Sequence, residues 1–323
     1  MSDLLVETIP TLSFDKQYMN NSKIGRIIST KPIEIVEECS ELTIPVHGEI
    51  INIVDIWKDR NVSLSAYNIT QFDMAVMDAA YTIINSGYTI IAPEWILKVM
   101  SGNMNARATP KKINAIKDSV DKLRSIHIQI DCTQEVNFRK DLKGKISKFV
   151  YKSYLLPLGE LEVTYASNGK EVTAYTIYEK PALYRYAEIV HQIIDVPAEL
   201  LETQEKFNDT EESILIKRYV VRRIAQITHK NNLRSNKISF LWYDNKSEND
   251  RERGLYPELG YFPENYKDWK SKRKQINNVV KNTLQFLVDK NTIQDFKEYR
   301  NNDSNNPSEP IMGYKIFLVD TKV

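Results

Sequence analysis

Between residues 70 and 178 the hydrophobic pattern changes period in a fixed order: helix, short strand, helix, helix, then a β-hairpin. Few folds accommodate that order. Thr70-Gln71-Phe72-Asp73 carries a capping signal, and Phe72, Ala75, Val76, Ala79, Ala80, Ile83 and Ile84 follow at helical spacing before Gly87, which predicts a helix over 70–86. Tyr88 to Ile91 is a short β-like run. Pro93 then opens a helix with Trp95, Ile96, Val99 and Met100 on one side and Ser101-Gly102-Asn103 as its stop. Thr109-Pro110 caps a third helix over 110–125, striped by Ile113, Ile116, Val120 and Leu123. Ile126 to Asp131 alternates with period two, and the β signal continues through 149–158, Val163 to Tyr165 and Val172 to Tyr178, with a turn at Asn168-Gly169.

The second half repeats the scheme. Ile214 to Thr228 reads as a helix with Ile216, Tyr219, Val220, Ile224 and Ile227 inward and Lys217, Arg218, Arg222 and Arg223 outward. A strand at 238–243 and a polar excursion at 244–263 lead to a long helix over 270–290, with Ile276, Val279, Val280, Thr283, Leu284 and Leu287 inside. Strands at 296–300 and 313–319 enclose a wing-like loop. Lys111-Lys112-Ile113-Asn114 and Lys274-Gln275-Ile276-Asn277 open corresponding helices, which favours an internal duplication. The expected fold is α+β: two winged helix-turn-helix domains in tandem, at 61–180 and 181–323, after an N-terminal arm at 1–60.

Charge is segregated along the chain. The total is +1, yet residues 1–100 carry −6, 101–160 carry +6, 161–215 carry −7 and 216–323 carry +8. Local potential governs attraction of a phosphate backbone, because screening limits its range to about 8 Å at physiological salt. Lys270, Lys272, Arg273 and Lys274 crowd a helix start that is already positive, so an anion is expected there. Asn277 and Asn114 lie off the apolar stripes and have the amide that can bond adenine N6 and N7 together. Lys281 extends the second basic face; Lys111, Lys112, Lys117, Lys122 and Arg124 form the first. Arg139, Lys140, Lys143, Lys145 and Lys148 are expected to decorate the first wing, and Lys290, Lys297 and Arg300 to flank the second, on phosphates.

Enzyme signatures fail. Gly144-Lys145 and Gly169-Lys170 lack the remainder of a phosphate-binding loop, His47, His127, His191 and His229 are isolated, and Cys39 and Cys132 form no metal or disulfide pattern. No catalytic residue, metal or cofactor is expected. No stretch has the ~18 apolar residues of a membrane span, and no signal peptide opens the chain, so a cytoplasmic protein without a membrane partner is expected.

Phe72 to Ala79, Pro93-Glu94-Trp95-Ile96, the capped Thr109 helix, Tyr184 to Glu188, Pro197 to Leu201 and Ile216 to Tyr219 together resemble plasmid replication initiators of the tandem winged-helix (Rep) type, over roughly residues 65–320. The resemblance implies a non-enzymatic, sequence-specific binder of double-stranded DNA at repeated origin sites. It also implies host replication proteins and a second copy of the chain as partners, the dimer being held through the N-terminal domain. The pI near 7.6 and the insertion 244–263 depart from that pattern. A transcriptional regulator of a mobile element with the same contacts, or a protein-interaction scaffold without DNA binding, are the alternative readings.

Overall fold

A computed structural model describes residues 12–22, 25, 28–29, 41–46, 49–55, 69–138, 143–164, 171–202, 210–228, 236–240, 254–300 and 309–319. The fold is α+β. The first unit is built on three helices whose ends are set by local chemistry. Helix α1 (Gln71–Asn85) starts at a reciprocal capping box: Thr70 Oγ1 accepts from the Asp73 N–H, and the Thr70 N–H donates to the Asp73 carboxylate at 2.7 Å. Helix α2 (Pro93–Ser101) opens on its proline and stops at Gly102, which has a left-handed φ of 68°. A Cβ at Gly102 would lie 2.4 Å from the Leu201 Cβ, so the close approach also requires glycine. Helix α3 (Pro110–Ser125) is capped by the Thr109 hydroxyl.

Strands β1 (Lys16–Asn20), β2 (Glu41–Val46), β3 (Glu49–Asp55), β4 (Ile90–Ile91), β5 (Ile126–Asp131), β6 (Val150–Tyr154), β7 (Leu158–Thr164), β8 (Glu171–Ile177) and β9 (Ile193–Pro197) form three sheets around these helices. The hairpin β7–β8 joins β4 in a sheet ordered β4-β8-β7. Between α3 and that hairpin the chain makes a detour. It runs through β5, the short helix α4 (Thr133–Phe138) and β6, which pair with β3 and β2 in a separate sheet ordered β2-β3-β5-β6. Residues 1–60, expected as an arm, thus contribute to two sheets: β2 and β3 here, and β1, which pairs antiparallel with β9. Met19 and Gln17 on β1 are buried. Helix α5 (Ala182–Ile189) lies beyond the expected boundary at 180, yet Ala182, Leu183 and Tyr184 pack into the same core as α1, α2 and α3 because β9 returns the chain to β1.

The second unit comprises α6 (Glu211–Thr228), strand β10 (Lys237–Ser239), the short helix α7 (Leu255–Glu258), the long helix α8 (Trp269–Asp289) and strands β11 (Asp295–Tyr299) and β12 (Gly313–Phe317). Its sheet is ordered β10-β12-β11. Ile216, Tyr219, Val220, Ile224 and Ile227 of α6 meet Ile276, Val280, Leu284 and Leu287 of α8 in its core. The excursion expected to be polar is only partly so: Leu255, Tyr256 and Tyr261 are buried in that core. Residues 241–253 lie outside the described residues.

The structure corrects the expected orientation of α6. Lys217 and Arg218 are 1% and 5% exposed. Arg218 donates to the Asp78 carboxylate of α1 at 2.7 Å and to Gln17 Oε1 of β1 at 2.9 Å. The Tyr184 hydroxyl and the Asn20 N–H donate to Asp78 Oδ1 from other sides. Burial first, and the adjacent Asp78 charge second, push the Tyr184 hydroxyl well above its ordinary pKa, which keeps it a donor. Lys217 Nζ reaches the carbonyls of Leu201 at 3.4 Å and Ser101 at 3.5 Å. These cations bind the second unit to the first, so solvent is not their partner.

Arg218→Ala leaves Asp78 without its cation in a buried site, and about 3–5 kcal/mol of stability should be lost in urea unfolding. Asp78→Asn with Arg218→Met should cost less than the two single changes added together. Additive costs would show that the two groups do not interact.

Candidate nucleic-acid interface

Helix α8 and the strands β11 and β12 enclose a groove of 660 Å³. Ile276, Val280, Thr283, Leu284 and Leu287 bury one side of α8, so helical geometry sends Lys270, Lys274, Asn277 and Lys281 to the opposite side at spacings of four, three and four. Lys270, Arg273, Lys274, Asn277 and Lys281 all line the groove, with Arg300 facing them from the end of β11. Six of the residues expected to contact DNA therefore converge on one concavity. Asp268, Glu298 and Glu309 are its acidic members. Asp268 caps α8 by accepting from the Ser271 N–H at 2.9 Å, and Glu298 sits 3.4 Å from Arg300.

The anion expected at this helix start is supplied in part by the protein itself. Lys272 points away from the groove, 2.5 Å from the Glu212 carboxylate of α6, with its ammonium 5.5 and 5.3 Å from the ring centres of Tyr261 and Tyr266. It is a packing residue, and the partner that claims it lies 60 residues away in sequence. Asn277 is half-buried, and its Oδ1 accepts from the Tyr256 hydroxyl at 3.1 Å. That bond fixes the amide and leaves its NH₂ group for the groove. Tyr256 was not legible as a site residue, since it sits in the excursion read as polar.

The corresponding surface of the first unit differs in charge. Lys111 and Asn114 are exposed on α3, but Asp118 and Asp121 continue the same outward row. Lys117 donates to the Thr173 hydroxyl of β8 at 2.7 Å. Lys122 is 2.5 Å from the buried Asp73 carboxylate, which also accepts from Ser119. Arg124 is held by Asp121, Glu160 and the Leu158 carbonyl. The basic outer surface expected of α3 is thus reduced to its first turn, because the later cations are drawn onto the hairpin β7–β8 and the start of α1. The register pairs Glu160 with Tyr175, Glu162 with Thr173 and Thr164 with Glu171, which puts three carboxylates on the hairpin face that meets α3.

The lysines expected on the first wing lie elsewhere. Lys143, Lys145 and Lys148 are exposed between α4 and β6, before the hairpin, because the inserted sheet separates them from it. Arg139 and Lys140 lie outside the described residues. Lys111 and Lys112 instead border a cleft of 500 Å³ whose far side is the acidic start of α6, at Glu211 and Glu212. Burial and the Asp73 carboxylate push the Glu211 carboxyl up, and Lys111 opposes them.

Among the described residues no group of three metal-ligating side chains is assembled, and no helix is long and apolar enough to cross a membrane. No family model matches the chain, and no curated protein matches it. Solved structures do. A crystal structure of selenomethionine derivatives of domain 2 and domain 3 of RctB has 12% identity and a TM-score of 0.38, covering 89% of this chain and 93% of that one. A structure of RctB domains 2-3, over 155-483, has 13% identity and a TM-score of 0.34, covering 66% of this chain and 71% of that one.

Lys272→Met should lower stability by about 1.5–3 kcal/mol, the range for a hydrogen bond to a charged group, whereas Lys274→Met should leave the urea midpoint unchanged. Equal effects would place the two lysines in equivalent surroundings.

Proposed function

We propose that this chain is a non-enzymatic, sequence-specific binder of double-stranded DNA that acts as a replication initiator at repeated origin sites. The observation that carries the reading is the convergence of Lys270, Arg273, Lys274, Lys281 and Arg300 on one groove that the Asn277 side chain also lines. Such a groove suits a duplex: the cations meet phosphates flanking a major groove, and the amide meets a base edge. Both units are winged helix-turn-helix modules in this proposal. The second supplies the principal contacts through α8 and the wing β11–β12. The first adds Lys111, Lys112 and Asn114 from the start of α3, with Arg139 and Lys140 as expected auxiliaries. Two modules side by side span one to two turns, hence a site of about 20 base pairs. The role at an origin, the cytoplasmic setting and the partnership with host replication proteins and a second copy rest on the resemblance to plasmid initiators.

Selection of bound duplexes from a random pool tests the reading. A recovered repeat supports it, a single operator-like sequence supports the regulator, and no enrichment with no salt-dependent binding supports the scaffold. Affinity for the selected duplex should fall steeply with salt, and Lys274→Ala should reduce the slope of log affinity against log salt by about 1. Tyr256→Phe should leave that slope intact and relax preference at one base position, because the Asn277 amide then turns freely. An unchanged preference would remove Asn277 from base recognition.

A further inference from the structure

The sheet of the second unit has two faces of different chemistry. Ile238, Tyr314 and Ile316 turn inward to the core, and Glu298 and Tyr314 on that side border the α8 groove. On the other face the register places Lys237 opposite Lys315 and Lys315 opposite Lys297, a row of three lysines across β10, β12 and β11. Arg223 of α6 continues the row, its Nε donating to the Lys237 carbonyl at 3.2 Å. Asp295 shares this face, with its Oδ1 accepting from the Phe296 N–H.

Aromatic rings alternate with the amines. Lys237 Nζ is 4.7 Å from the centre of the Tyr299 ring, and Lys297 Nζ is 5.5 Å from that of Phe317. Phe317 is 37% exposed. The pattern is readable in the sequence as Lys297-Glu298-Tyr299 and Lys315-Ile316-Phe317, one cation and one ring two residues apart on two paired strands.

We propose that this outer face binds single-stranded nucleic acid, with Arg223, Lys237, Lys315 and Lys297 along the phosphates and Phe317 stacking a base. A flat sheet surface bearing cations and an exposed ring is what one unpaired strand requires, since every base offers a π-face and the backbone needs only a charged track. A duplex lying in the α8 groove is on the opposite side of the sheet and cannot occupy this face. The site therefore takes a second segment of nucleic acid, and it stands whether or not the groove binds duplex.

The test uses the full chain and a fluorescent oligo-dT of about 16 nucleotides, which has no self-structure. Anisotropy titration should show binding that weakens with salt. Lys297→Glu with Lys315→Glu should weaken it roughly tenfold or more, whereas Arg273→Glu with Lys274→Glu should change it less than about twofold. Phe317→Ala, which removes no charge, should weaken it by about fivefold or more and keep the unfolding midpoint, so that a folding defect in the double variant does not decide the matter. Absence of oligo-dT binding by the unaltered chain overturns the proposal. So does binding that survives both the lysine and the phenylalanine changes, or that is lost only with the groove variant. Failure of duplex selection with track-dependent oligo-dT binding would overturn the groove reading alone.

Discussion

The contact between Arg218 and Asp78 joins elements that are 140 residues apart, and most of the architecture is arranged to make it affordable. A guanidinium and a carboxylate removed from water lose several kcal/mol of hydration each, and recover it only when their remaining hydrogen-bonding capacity is filled. Here Gln17, Asn20 and Tyr184 fill it, from β1 and α5. That explains why β1 must return from the N-terminus to pair with β9: without the strand, Asp78 and Arg218 would face unsatisfied space. The two cores are coupled by polar chemistry as well as by apolar contact.

The two units share an order of elements and diverge in electrostatics. In the second, the cations of α8 point into an open groove and meet Arg300 across it. In the first, Lys117, Lys122 and Arg124 bend back onto the hairpin β7–β8 and α1, and the outward surface is left to Asp118, Asp121 and the hairpin glutamates. A common scaffold thus presents opposite potentials on equivalent faces, and the near-neutral total conceals it.

Local signals were legible in the sequence. The capping box at Thr70, the first-turn prolines at 93 and 110, the stop at Gly102 and the stripe of α8 all act within one or two helical turns, so residue types alone disclose them. The groove residues followed from that stripe. What escaped was non-local. The sheet β2-β3-β5-β6 depends on strands some seventy residues apart, and no local periodicity marks such a pairing. Burial of Lys217 and Arg218 depends on Asp78 and on the Leu201 and Ser101 carbonyls. A clue existed: Asp78 stands among Val76, Met77, Ala79 and Ala80 in a helix buried along most of its length, a position no carboxylate tolerates without a cation. Lys272 likewise looked identical to its neighbours until Glu212 and two tyrosines were placed beside it.

Helix α6 belongs to both halves of the molecule. Ile214 packs into the first core, Val221 into the small cluster with Met19, Val196 and Leu201, and Ile216, Tyr219 and Val220 into the second core, all within three turns of one rod. No swivel is available where a single helix is gripped on several sides. The distance and rotation between α3 and α8 are accordingly built in, like the jaws of a fixed caliper. Any object touching both must conform to that gauge by bending or twisting itself.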